Sequence, residues 1–562
     1  MRSFGCMPAY QGDNPHQKEQ YLLAKTSPSY RFMSTNYTAL AGFIGLILSA
    51  VCLTTNAQTC TSTPGTEHFY ATSWGIDERN TRFQPESDIN ATNVASLEVH
   101  WIFGLDKNEA PHSYPLVTED SVFIGTTDGN LYALDKQSGC IRWVYTIDSP
   151  IRTGVVPGQI NVNGTARTAL FFGTFSGEVF AVDAQTGEQI WRKNVQDHAY
   201  AMITGTPSFF GGKLIVPVSS GELVLAVNPL FACCQFQGSI LSLNAHSGDI
   251  NWRTKTIPDA PKVTGSNFIF VEKWGPSGAP IWSSPTIDIE RNQILFGTGE
   301  NYTTPASDTS DAIIAIDLDD GSIRWVQQYT SQDAFNMSCT ISMDHPNCPK
   351  NAGPDLDFGA SPIITQTRSG QPIIMAGQKS GGVYGINPVN GERLWERQFG
   401  RGGYLGGVHW GIAVNELLGL VFAPISDVPT GPFTGDPEPG LNALDIDTGD
   451  VKWSAPYVAN CTDRESCRSG MSAAITATDD LVFATGLDGG LHAFAAHSGE
   501  LLWSYDTWRH YDSVNGIETK GGAIDVHGPV VAGDLLLIQS GYDSFGQMGG
   551  NALIAFKLGD QK

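Results

Sequence analysis

VFAVDAQTGEQIW, residues 179–191, is the stretch whose reading decides the fold. Val179, Ala181 and Asp183 alternate with Phe180 and Val182, the two-residue period of a strand. Gly187 then supplies a turn, because glycine accepts positive φ without steric penalty, and a second strand resumes into Ile190 and Trp191. Six further copies follow the same pattern with drift: LYALDKQSGCIRW (131–143), ILSLNAHSGDINW (240–252), IIAIDLDDGSIRW (313–325), VYGINPVNGERLW (383–395), LNALDIDTGDVKW (441–453) and LHAFAAHSGELLW (491–503). An eighth tryptophan, Trp101, ends LEVHW, and its missing half is ALIAFKL (552–558) at the far end of the chain. Spacings between the eight tryptophans are 42, 48, 61, 73, 70, 58 and 50 residues. Periods of this size signal propellers or solenoids, and a repeat split between the two chain ends implies a closed ring. The expectation is an all-β, eight-bladed β-propeller over residues 58–562, closed by pairing of its N- and C-terminal segments.

Working outward, composition narrows function. A formal net charge of −24 disfavours nucleic acid and anionic membrane as partners. There is no basic run and no phosphate-cradling glycine loop. Residues 1–57 read as a leader: the apolar stretch Ala39–Leu53, short for a membrane span, precedes the small-residue end Thr55-Asn56-Ala57. A cleaved signal peptide, with translation starting at Met1 or Met33, or an uncleaved anchor would each explain it. The protein is therefore expected to be secreted or periplasmic, with membrane anchoring as the alternative.

Eight cysteines lie beyond the leader, an even number that suits disulfides in an exported protein. Local spacing favours Cys339–Cys348 and Cys461–Cys467, with Cys60–Cys140 as the remaining distant pair. Asn90, Asn163, Asn301, Asn336 and Asn460 each begin an N-glycosylation sequon. No Cys-x-x-Cys-His occurs, so the chain has no c-type haem attachment signal, and any electrons it gathers pass to a separate acceptor.

The longest intervals, between Trp191, Trp252, Trp325 and Trp395, carry insertions, and function concentrates on loops held by a rigid scaffold. These intervals hold an ordered series: SSGE (219–222), FACCQFQG (231–238), GPSGAPIWSSPTID (275–288), FGTGEN (296–301), GPDLDFGASP (353–362) and AGQKSGGVYGI (376–386). Through it, from Tyr70 to Lys557, the sequence resembles the pyrroloquinoline-quinone (PQQ)-dependent alcohol dehydrogenases, in particular their polyvinyl-alcohol-dehydrogenase branch.

The resemblance implies a quinone and a Ca2+ ion in the central channel. Trp282 is implied as the aromatic floor beneath the quinone, and a disulfide between the neighbouring Cys233 and Cys234 as its cover. This pair follows the SSGE segment rather than lying on an earlier blade, a departure from the methanol-oxidising pattern. Glu222 matches the family's glutamate ligand to calcium. Where the family has asparagine as a ligand this chain has Glu300 followed by Asn301, and either can supply the oxygen. Asp357 matches the catalytic base; Asp355 lies two residues earlier, on the same side if the segment is extended. Lys379 takes the slot of the cation that bonds the quinone oxygens. Arg152, Thr204, Ser220 and His409 are fainter cofactor matches. The implied reaction is oxidation of an alcohol, secondary and possibly polymeric, to a carbonyl: hydride goes to the quinone, Ca2+ assists, and Asp357 takes the hydroxyl proton. The rival reading is a non-catalytic propeller scaffold, which needs the tryptophan repeat but not Trp282, Cys233, Cys234, Asp357 and Lys379 together.

Overall fold

The structure is a computed structural model that describes residues 59–106, 110–429 and 434–559; the expected leader lies outside the described residues. Eight antiparallel sheets, seven of four strands and one of five, follow one another along the chain. Seven are consecutive blades, spanning 116–146, 156–194, 201–255, 286–328, 363–398, 413–456 and 476–506. The eighth joins both ends: strand Leu97–Gly104 pairs antiparallel with Ala552–Leu558, Leu97 opposite Leu558 and Gly104 opposite Ala552. The split repeat is thus the closure of the ring.

The repeat has a physical cause. Seven of the eight tryptophans, all but Trp503, reach into the next blade and cover its turn glycine. The Trp143 indole donates to Ala184 O at 3.2 Å, and a Cβ on Gly187 (φ +73°) would lie 2.8 Å from the Trp143 ring. Trp101, Trp191, Trp325, Trp395 and Trp453 donate to the next blade in the same way. Asp183 completes the turn by accepting from the backbone N–H groups of Gln185 and Thr186. The aspartate, glycine and tryptophan therefore recur because they form the joint between blades. Between the joints the strand interiors are apolar and fully buried, as in Ala169, Phe171, Val179 and Ala181.

The segment from Tyr70 to Asp88 crosses the inner strands at one end of the ring. It exchanges backbone hydrogen bonds with Val117, Ile287, Ile364, Val414, Ala477 and Gly533, which belong to six different blades. Arg82 anchors it, wholly buried, donating to Ile475 O, Trp74 O, Thr476 Oγ1 and His527 O.

The long intervals carry a helical turn at Glu222–Leu225, a hairpin of Lys262–Ser266 with Glu272–Gly275, and a helical turn at Ser338–Ile341. These insertions are tied together: Asn267 Nδ2 donates to Pro229 O, Trp274 N to Cys233 O, and Asn347 Nδ2 to Ala226 O. Four disulfides form among the described residues: Cys60–Cys140, Cys233–Cys234, Cys339–Cys348 and Cys461–Cys467. The Cys233–Cys234 peptide is cis, with the two Cα atoms 3.1 Å apart. Of the sequon asparagines, Asn301 and Asn336 are fully buried and unsuited to glycosylation in the folded chain.

Candidate active site

Each blade feeds the axis from the loop before its innermost strand. The residue four positions ahead of that strand is, in blade order, His112, Arg152, Thr204, Trp282, Gly359, His409, Ser472 and Val526. Five of these, Arg152, Thr204, Trp282, Gly359 and Val526, line one narrow cavity of about 20 Å3. Trp282 lies across it, its edge against Trp410 with centroids 4.9 Å apart and near His409 at 5.9 Å. Residue 359 must be glycine, since a Cβ would sit 1.7 Å from the Trp282 ring. His409 is held by Ser472, Nδ1 to Oγ 2.8 Å.

Asp357 is the hub. Its Oδ1 accepts from Glu300 N at 2.9 Å; its Oδ2 accepts from Trp282 Nε1 and from Lys379 Nζ, each at 3.0 Å. Lys379 also donates to Asp355 Oδ1 at 2.7 Å and stands 5.3 Å from the Trp282 ring centroid. Asp355 is not extended as expected; its φ is +58°, yet the turn still brings both carboxylates to one ammonium. Asp333 fixes that turn by accepting from Asp355 N and Leu356 N. Glu300, Asp355 and Asp357 each offer an oxygen within 4.8 Å of the others, and all three are buried. Of the two candidate ligands at 300 and 301, only Glu300 enters this cluster. Asn301 faces away, donating to Ser277 O and accepting from Ser307 N.

Burial pushes Asp357 up, but the Lys379 charge and its hydrogen bonds outweigh that, so it is held below the usual carboxylate range. Glu300 is raised well above it, first by burial, then by the Asp357 and Asp355 charges. Burial lifts Asp355 to about 8 against the pull of Lys379. Lys379 loses to burial but gains more from Asp355, Asp357 and Glu300, and stays charged. Behind them Asp311 is wholly buried with both carboxylate oxygens unpartnered.

A second group stands beside the first. Glu222 accepts from Gln235 N and Phe236 N, immediately after the Cys233–Cys234 disulfide, and burial raises it to about 7. Ser220 Oγ accepts from Glu222 N, and Thr204 pairs with Ser219 rather than with Ser220. Cys233 and Cys234 are buried in an apolar cluster with Phe236 and Tyr302. Across the channel, Arg152 packs its guanidinium 5.2 Å from the Trp410 ring, has an unpartnered Nε, and makes no ion pair among the described residues. The channel thus gathers three carboxylates around one lysine, and elsewhere holds an arginine that makes no ion pair, with the buried Asp525 in its field. Sequence reasoning passed over Asp333, Asp311 and Tyr302; the four-residue offset from the inner strand was the signal available for the axial set, once the strands were placed.

These features fit both implied groups. Buried carboxylates are the hard oxygen donors that Ca2+ takes. Flat indole, unpaired guanidinium and ammonium suit a planar quinone that bears carboxylates.

Residues 71–400 match the family model described as glucose/ethanol/alcohol dehydrogenase, beta-propeller domain, and residues 432–558 match that of the outer membrane protein assembly factor BamB. Two relatives are polyvinylalcohol dehydrogenases: one from Pseudomonas sp, 35% identical over 86% of this chain and 76% of its own, and one from Sphingopyxis sp. strain 113P3, 34% identical with the same coverage. Among solved structures, a quinohemoprotein alcohol dehydrogenase from Pseudomonas putida HK5 superposes with TM-score 0.65 at 20% identity, over 88% of this chain and 81% of that one.

Proposed function

The chain belongs to the PQQ-dependent alcohol dehydrogenase family, and from that premise we propose that it oxidises secondary alcohols, hydroxylated polymers included, using PQQ and Ca2+. The observation that carries this reading is the buried constellation of Asp357, Lys379 and Trp282, linked by two 3.0 Å hydrogen bonds through one carboxylate oxygen. When bound, the quinone supplies a two-electron acceptor and Ca2+ a Lewis acid. Asp357 accepts the alcohol proton on its carboxylate, which the Glu300 backbone N–H holds in place through Oδ1. Lys379 keeps Asp357 ionised and presents a fixed positive charge toward developing anionic oxygen. Trp282 offers its ring face to the cofactor while its N–H orients the base. Glu300, Asp355 and Asp357, with Glu222 nearby, would hold the cation; Arg152 would pair with a cofactor carboxylate.

The extension to polymers rests on the two relatives' names. Among the described residues no helix is long and apolar enough to cross a membrane, and the four disulfides support an exported, oxidising setting. Electrons leave to a separate acceptor. The test is reconstitution of the purified protein with PQQ and Ca2+, followed by dye reduction with 2-pentanol and with polyvinyl alcohol. Reduction that needs both quinone and alcohol is expected; absence of quinone binding and of dye reduction would return the chain to the scaffold reading.

A further inference from the structure

Tyr302 carries a hydroxyl with no assigned task. The residue is fully buried, its Oη has no hydrogen-bond partner, and its ring stacks on Phe236 with centroids 6.1 Å apart and planes 23° from parallel. A buried, unpaired hydroxyl costs about 1–3 kcal/mol, so an orphan at this depth points to a missing partner. Strand alternation gives the direction: Asn301 turns away to Ser277 and Ser307, so Glu300 and Tyr302 share the opposite side. The phenol lies in the field of Glu300, Glu222, Asp357 and Asp355. None of these carboxylates accepts from Oη, although each is a strong acceptor. Oη is therefore an uncommitted oxygen beside the buried oxygens of Glu300, Asp355 and Asp357, which lie within 4.8 Å of one another. A hard cation takes oxygen donors, and Ca2+ takes about 6–8 of them.

Resting on the cation-site reading of the Glu300, Asp355 and Asp357 cluster, we propose that Tyr302 Oη is a neutral oxygen ligand of that cation, joining the Glu222 side of the chamber to the Asp357 side. The segments quoted for the family give no role to this position. The phenol adds an oxygen without adding charge to a cluster already rich in carboxylates, and its stacking on Phe236 fixes its reach.

Terbium(III), close to Ca2+ in size and preferring oxygen, tests this without quinone or turnover. Emission sensitised by nearby aromatic rings reports binding, and lifetimes in H2O against D2O count the waters on the ion. Tyr302→Phe keeps the stacked ring and removes only the ligand. The expected result is one additional water on terbium and affinity about tenfold weaker, since ligand number sets the strength of such sites. Tyr542→Phe, the same change at another buried phenol with an unpartnered hydroxyl, should alter neither. In the wild type, terbium should also give a tyrosine ultraviolet difference signal that Tyr302→Phe lacks. Terbium bound with unchanged hydration and affinity in Tyr302→Phe overturns the assignment while leaving the cation site standing. No sensitised emission from the wild type overturns the cation site and this ligand together.

Discussion

Replacing Lys379 by methionine tests the electrostatics of the chamber. The ammonium is 5% exposed and lies 2.7 Å from Asp355 and 3.0 Å from Asp357. Methionine matches the stem and removes the charge. Leaving one partner of a buried pair uncompensated costs about 3–5 kcal/mol, and here two carboxylates lose their partner. The penalty depends on pH in a defined sense. In the wild type Asp357 is held low, so its contribution to stability is present above its unfolded value of about 3.9 and is lost as pH falls through its lower folded value. In the variant burial acts unopposed and raises both carboxyls, so stability is lost as pH climbs from about 4 through the raised values. Asp355, already lifted to about 8 in the wild type, costs both proteins stability over that rise, so the gap between them widens through the carboxyls that only the variant leaves without a cation, Asp357 above all. Cation-free protein unfolded by urea at pH 8 should show a deficit of about 3–5 kcal/mol, shrinking by at least half at pH 5, where protonation neutralises the two buried carboxyls left without a partner. Added Ca2+ should recover part of the deficit at pH 8. A deficit equal at both pH values would refute the charge argument and leave only a packing effect of the side chain.

Asp357→Asn should keep quinone binding, measured by absorbance titration, while lowering kcat by about 10²–10⁴-fold, the usual loss for a general base. Glu300 is raised by burial and by its two acidic neighbours, so cation binding must expel its proton. Calorimetry should show affinity rising with pH by up to about tenfold per unit, with the slope lost in Glu300→Gln; an unchanged slope would place the proton elsewhere. Gly187→Ala meets both a positive φ and the Trp143 ring 2.8 Å away, whereas Gly164→Ala has a similar φ of +85° with nothing within 4 Å. Both should lose about 1–3 kcal/mol from backbone strain, with Gly187→Ala melting measurably lower than Gly164→Ala because only it must also displace an indole.

The ring was legible because its joints are short-range in sequence. Asp183, Gly187 and Trp191 lie within nine residues, and the glycine and tryptophan repeat in seven copies, with aspartate in four of them and Asn244, Asn387 and Ala495 in its place in the others. Two disulfides were legible for a similar reason, closing separations of 9 and 6 residues. The choice between Glu300 and Asn301 was not, because neighbouring strand residues point to opposite faces and the sequence does not say which face is inward. Asp355 does share a side with Asp357, but its carboxylate reaches Lys379 through a left-handed turn held by Asp333, a contact 22 residues away that the sequence does not show. Tyr302 gave no signal because a tyrosine in a strand reads as core, and only packing across blades leaves its hydroxyl without a partner.

The axial offset explains how one repeat yields a site with no internal symmetry. In every blade one residue stands four positions before the inner strand, and five of the eight line the channel cavity, so placement is fixed by the scaffold and chemistry is free to differ. Blade by blade the delivered side chains are imidazole, guanidinium, hydroxyl, indole, none, imidazole, hydroxyl and isopropyl. The absence of a side chain at Gly359 matters as much as the rest, since it lets Trp282 lie flat beside the segment carrying Asp357. The acids arrive by a different route: Glu222 and Glu300 follow the second strand of their blades, as Lys379 does, and meet Asp357 from the side. Keeping the buried Arg152 out of any direct ion pair, while Asp355 and Asp357 gather on Lys379, costs stability that pairing would have recovered. A propeller used only as a scaffold has no reason to sustain that separation. A channel that must orient a ligand with anionic groups at one edge and a cation at the other does.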